Sequence, residues 1–226
     1  MTLVIAAPGN DFIVLGADSR GVIDSGEARV EINILTKLFP ITQNAAIMMY
    51  GGSEDASQLV EKYRSIYKQR KMNLNGVTLV AEDFCEFCRK EEIKLAKVPK
   101  HPKSFEYFGF IICGLNIVDD KIQPMIYVTT NFNGFRLGLC RPYAIEGKPI
   151  IAHYHFAKNF KENMNVNDLC RIVAQSIYDT MRIDGDVGGE IRIAIIDSKG
   201  FREISESDVK ELYETWEISA LREIMQ

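Results

Sequence analysis

The sequence predicts a layered α+β fold built as a single domain over residues 1–226. Three observations carry this reading. Extended apolar runs gather at the start, middle and end of the chain; helical patterns stand between those groups instead of following every strand; and 46% of the residues are apolar, enough for a sizeable core. A regular βαβ succession would have predicted a parallel sheet instead. No internal repeat, low-complexity segment or long linker divides the chain.

The chain starts with two apolar runs, Thr2–Ala7 and Phe12–Ala17, around Pro8-Gly9-Asn10-Asp11. Turn formers between strand formers predict a hairpin, which would bring Thr2 beside Ala17 and Asp18. Further strands are predicted at Leu35–Ile41, Ala45–Tyr50, Tyr107–Gly114, Ile122–Thr129 and Phe135–Leu139. A closing hairpin pairs Ile191–Asp197 with Phe201–Ile204 around Ser198-Lys199-Gly200.

Helical spacing places one helix over 53–70, with Glu54 and Asp55 in its first turn and a stripe of Leu59, Val60, Tyr63 and Tyr67. A second covers 77–97, with Leu79, Phe84, Phe87, Ile93 and Leu95. A third covers about 166–183, where Leu169, Ile172, Val173, Ile177 and Met181 share a face. The last starts near Ser205 and carries Val209, Leu212, Trp216, Ala220 and Ile224. Lys97–Ser104 is predicted to be an exposed loop.

Composition excludes several classes of function. A net charge of −4 gives no basic field for phosphate neutralisation, so a nucleic-acid partner is not expected. No stretch is long and apolar enough to span a bilayer and no secretory signal opens the chain, which predicts a cytoplasmic protein without a membrane partner. Cys85, Cys88, Cys113, Cys140 and Cys170 are odd in number and are read as reduced thiols. The Cys85–Cys88 pair has no second pair at zinc spacing, and His153 and His155 have no accompanying carboxylate pattern. Neither metal nor organic cofactor is expected.

Thr2 directly after Met1 carries little weight alone. Its company changes that: Gly16-Ala17-Asp18-Ser19-Arg20, then Thr36-Lys37-Leu38-Phe39, then Tyr50-Gly51-Gly52-Ser53-Glu54-Asp55-Ala56. Towards the other end come Ser176–Asp184, Gly188-Gly189 and Ile191–Ile196. In order and spacing these motifs resemble the β-type subunits of proteasomes and the related peptidase subunit of bacterial ATP-dependent proteases, members of the N-terminal-nucleophile (Ntn) hydrolases. The match is weakest at about 70–140.

The resemblance implies a four-layer αββα sandwich, two antiparallel sheets between helix layers. It also implies a threonine-type endopeptidase acting on peptide or unfolded-protein substrate. In that pattern Thr2 is the nucleophile once Met1 is removed, Asp18 and Lys37 are the acid–lysine pair, and the Gly51 amide forms the oxyanion hole. Asp184 helps to hold the terminal amine, while Val22 and Met49 fall beside the substrate pocket and imply an apolar preference. The family assembles into rings, so a homo- or hetero-oligomer with proteasome-like subunits is implied, with an ATPase as a further partner.

These residue types suit that chemistry. A hydroxyl needs an adjacent base, and an N-terminal threonine has one in its own α-amine. That amine has a pKa of roughly 7.7–8.0, which a nearby ammonium such as Lys37 lowers. Asp18 is the natural counter-ion for a buried lysine. Taken singly, Asp18 and Arg20 read equally as a strand-end ion pair, Lys37 as a surface lysine and Gly51-Gly52 as a tight turn.

The sequence also departs from the family. β subunits usually carry two serines near the terminal amine, and here Gly147 and Val187 stand at those positions. Many are made with a propeptide, whereas here only Met1 precedes the threonine; an α-type subunit would carry an extension before the first strand. The missing hydroxyls leave two alternatives open, a catalytically silent ring subunit and an Ntn amidase or transpeptidase acting on another substrate.

Overall fold

The computed structural model describes residues 2–24, 29–69, 74, 76–96, 107–119 and 121–214. Its first sheet contains β1 (Leu3–Pro8), β2 (Ile13–Asp18), β10 (Ala144–Gly147), β11 (Ile191–Asp197) and β12 (Gly200–Glu203), in the order β10-β1-β2-β11-β12. The second contains β5 (Leu38–Pro40), β6 (Ala45–Gly51), β7 (Phe108–Val118), β8 (Lys121–Thr130) and β9 (Gly138–Leu139), in sequence order. β3 (Gly21–Asp24) and β4 (Arg29–Ile32) form a separate hairpin, and every pairing is antiparallel.

Helices α1 (Ser53–Gln69) and α2 (Val77–Ala96) cover the second sheet. Helices α3 (Ile150–Asn159) and α4 (Val166–Ile183) cover the first, joined by α5 over residues 206–214. The result is the four-layer sandwich that the motifs implied.

Three apolar layers hold these elements together, and strand alternation explains why the strands read as unbroken apolar runs. On β1, Leu3, Ile5 and Ala7 face α3 and α4, while Val4 and Ala6 face the second sheet. On β6, Ala45, Ile47 and Met49 face α1 and α2, whereas Ala46, Met48 and Tyr50 face the first sheet. A strand buried on both sides has no polar face to show.

Some boundaries differ from the sequence reading. The predicted strand Leu35–Ile41 shortens to β5, because the Leu35 N–H is drawn to the Ser19 carbonyl at 2.9 Å instead of continuing the ladder. Phe135–Leu139 shortens to β9, because Phe135 has φ 53 and turns its ring into the α2 layer. In α2 the buried stripe is Val77, Val80, Ala81, Phe84, Cys85 and Cys88, whereas Leu79 and Ile93 are about half exposed. The thiols therefore replace Leu79 and Ile93 on the core face, and all five cysteines are free. Lys97–Ser104 and the end of the last predicted helix, with Trp216, Ala220 and Ile224, lie outside the described residues.

Candidate active site

The hairpin register places the site. Val4 pairs with Ala17, so the peptide joining Thr2 to Leu3 falls beside Asp18 at the end of the sheet. Asp18 turns its carboxylate back onto that peptide: Oδ1 accepts the Leu3 N–H at 2.9 Å. The same oxygen accepts the Lys37 ammonium at 2.7 Å. Oδ2 takes the N–H groups of Arg20 and Gly188 at 3.2 and 3.1 Å. With two donors on each oxygen, the buried carboxylate has its hydrogen-bonding capacity met.

Lys37 reaches Asp18 from the segment leading into β5, and its ammonium also donates to the Arg20 carbonyl at 2.5 Å. Burial pushes this ammonium below the usual lysine range, with Arg20 adding to the push and Asp18 opposing it. The Arg20 guanidinium goes elsewhere. It donates to Asn33 Oδ1 at 2.9 Å and to the Gly185 carbonyl at 2.8 Å, and lies 3.4 Å from Glu31. The strand-end pair of Asp18 with Arg20 is therefore replaced by a buried pair of Asp18 with Lys37.

Gly51 ends β6 with φ +83, and a Cβ there would lie 2.1 Å from the Tyr107 carbonyl oxygen. Only glycine fits this approach. The direction of its amide follows from the ladder. Phe108, opposite Gly51, sends both its N–H and its C=O to Asn131 in the β8 direction. Two residues before Gly51, the Met49 N–H donates to the Lys37 carbonyl at 2.9 Å. Groups two apart on a strand point the same way, so the Gly51 N–H is directed to the edge where Lys37 stands. The next amide, of Gly52, turns back to the Tyr107 carbonyl at 2.9 Å.

Asp184, the residue that caps the end of α4, uses both carboxylate oxygens. Oδ1 accepts the Asp186 N–H at 2.9 Å and Oδ2 pairs with Lys148 at 3.0 Å. Asp186 pairs with Lys148 at 3.2 Å and with Arg29 at 3.0 Å. Met49 is buried in the layer beneath α1 and α2, and Val22 is half-buried on the β3–β4 hairpin.

The two positions without hydroxyls now have structural reasons. Val187 is fully buried in the layer that contains Leu3 and Val173. Gly147, opposite Leu3, has φ +98, and a Cβ on it would lie 1.8 Å from the Thr2 carbonyl oxygen. The strand passes Thr2 too closely for a side chain.

Two doubly buried antiparallel sheets between helix layers agree with the comparison against known families. The description Proteasome subunit matches residues 2–196. The chain belongs to the proteasome subunit family. It is 26% identical over 203 residues to "Proteasome subunit beta type-1" of Saccharomyces cerevisiae, covering 88% of this chain and 85% of the yeast protein. It is 25% identical over 203 residues to "Probable proteasome subunit beta type-1" of Schizosaccharomyces pombe, covering 88% and 81%.

Around Thr2 in this proteasome-family chain, Lys148, Arg29 and Ser19 escaped the sequence reading. Ser19 accepts the Glu190 N–H and donates to the Asn33 carbonyl, both at 2.7 Å. Its position between Asp18 and Arg20 was the available signal. Lys148 and Arg29 offered none, because their partners lie far away in sequence. No group of three or more His, Cys, Asp or Glu side chains able to hold a metal occurs among the described residues. No helix among them is long and apolar enough to cross a membrane.

Proposed function

We propose that the chain is a cytoplasmic threonine-type endopeptidase of a proteasome-like ring, with Thr2 as nucleophile after removal of Met1. The observation that carries this reading is the single oxygen, Asp18 Oδ1, that receives both the Leu3 amide and the Lys37 ammonium. It ties a buried positive charge to the peptide that follows the nucleophile.

In the proposed reaction Thr2 Oγ1 bonds to the scissile carbonyl carbon while its proton passes to the Thr2 α-amine. Lys37 disfavours a second positive charge and so favours the free amine that can accept it. The Gly51 N–H stabilises the developing oxyanion, a contribution whose loss costs on the order of 100-fold or more in rate. As the carbonyl–nitrogen bond breaks, the leaving nitrogen takes the proton held by the amine. An ester on Thr2 remains, and water, deprotonated by the same amine, releases the acid and restores the hydroxyl.

Unfolded polypeptide is the proposed substrate, presented within a ring of this chain or of related subunits, with an ATPase as the feeding partner. Val22 and Met49 are the proposed pocket residues and imply an apolar preference at the cleavage site. The test is intact-mass measurement with and without a peptide epoxyketone, an electrophile that requires both the threonine hydroxyl and its amine. Loss of Met1 and a single adduct on Thr2 are expected; Met-free protein without an adduct sinks the reading.

A silent ring subunit is the second reading. It is favoured by the buried, apolar Val187 and by the crowding at Gly147, which leave neither position with a hydroxyl to move protons.

A further inference from the structure

The order of strands around Thr2 gives Lys148 an unusual course. β1 lies between β10 and β2, and Lys148 follows β10 directly, its N–H donating to the Thr2 carbonyl at 2.9 Å. The loop 184–189 lies on the other side of β1. It is fastened to the end of β2 by the Gly188 N–H on Asp18 and by the Ser19 N–H on the Gly188 carbonyl. Through its pairs with Asp184 and Asp186 at 3.0 and 3.2 Å, the Lys148 side chain links the segment after β10 to this loop. The Thr2–Leu3 peptide lies between the two attachments, its carbonyl on the Lys148 N–H and its N–H on Asp18.

The carboxylates at this bridge are committed elsewhere. Asp184 has Lys148 on one oxygen and the Asp186 amide on the other; Asp186 has Lys148 on one and Arg29 on the other. A chain amine placed at the end of β1 therefore meets acids whose charge is already matched. The other charged groups around that strand end are Asp18 and Arg20 at the end of β2, Lys37 before β5, Glu146 on β10 and Glu31 on β4.

We propose that Lys148 is a positioning residue for the Thr2 α-amine: it holds the Asp184 and Asp186 carboxylates as its own counter-ions and keeps them from fixing that amine as an ammonium. The proposal rests on Thr2 being the working terminus, and it supplies part of what the absent hydroxyls at 147 and 187 would have done. Hydrogen bonding to Asp184 in turn holds the Lys148 ammonium above the usual lysine range, so it remains charged wherever the amine titrates.

The test uses full-length protein produced with Thr2 as its first residue. Trace acetylation with acetic anhydride, read on the N-terminal peptide by mass spectrometry from about pH 5 to about pH 10, titrates the amine without requiring turnover. Lys148→Met should raise its midpoint by about one pH unit, leaving roughly tenfold less free amine at neutral pH. Lys148→Arg, which keeps the charge, should return the midpoint to within a few tenths of wild type, and adding Asp184→Asn to Lys148→Met should reverse most of the shift. A packing role alone would not follow charge in this way. An unchanged midpoint in Lys148→Met, or an equal shift in Lys148→Arg, overturns the proposal. If Lys148→Met does not fold, Lys148→Gln replaces it under the same criteria. Failure of the nucleophile reading is seen separately, as an amine that titrates as described on a protein that forms no epoxyketone adduct.

Discussion

Lys37 Nζ lies 2.7 Å from Asp18 Oδ1, and the two side chains are 1% and 0% exposed. Isolation from water makes this pair sensitive to the loss of either member. Lys37→Met leaves an uncompensated carboxylate in the interior, and removing one partner of a buried pair costs about 3–5 kcal/mol. Urea unfolding should show a loss of that size, with Asp18→Asn similar. The double variant should recover part of the loss, because the two residues share one interaction. Simple additivity would show that the pair is not coupled.

Gly51→Ala tests the turn that aims the amide proposed for the oxyanion hole. A residue with a Cβ at φ +83 pays about 1–2 kcal/mol in backbone strain, and here the Cβ also meets the Tyr107 carbonyl oxygen at 2.1 Å. A stability loss above that strain figure and a slower epoxyketone reaction are expected together. Unchanged stability and labelling would mean that the turn is not constrained as described.

The two positions without hydroxyls should respond differently to serine. Val187→Ser removes buried methyl groups and buries a hydroxyl, costing about 1–3 kcal/mol. Gly147→Ser should be worse, because its Cβ would fall 1.8 Å from the Thr2 carbonyl in a backbone region unsuited to L residues. Thermal unfolding of the two variants gives the order directly; a milder effect at 147 than at 187 contradicts it.

Acid stability should depend on Asp186. Burial works against its charge, but Lys148 and Arg29 outweigh burial and hold the carboxyl below the usual aspartate range. A depressed folded-state pKa stabilises the protein above the unfolded value of about 3.9, and the contribution is lost as pH falls through the folded value. Unfolding measured from neutral pH down to about pH 2 should therefore show a steeper acid loss in wild type than in Asp186→Asn. Parallel curves would remove Asp186 from the acid response.

Much of the site was legible in the sequence because its parts are local. Gly16–Arg20, Lys37 and Gly51-Gly52 sit at strand ends and turns, and the Pro8–Asp11 turn returns Thr2 to the neighbourhood of Asp18, with the exact register set by the pairing of Val4 with Ala17. β3, β4 and β10 escaped because four-residue strands carry too little alternation to read, and β4 has three exposed positions. The stripe on α2 was misread because Cys85 and Cys88 serve as small apolar residues there.

The sequence by itself determined the order of the longer strands and helices and the layered class, since local propensity and short-range spacing are written along the chain, and the resemblance of its motifs to the proteasome family singled out Thr2, Asp18, Lys37 and Gly51 as candidates. Only the tertiary structure decided that Asp18 pairs with Lys37 and not with the Arg20 guanidinium, that Gly147 has no room for a side chain, and that Lys148 pairs with Asp184 and Asp186. Each depends on which strands lie side by side, and that is set by the packing of two sheets whose contacts join residues far apart in sequence.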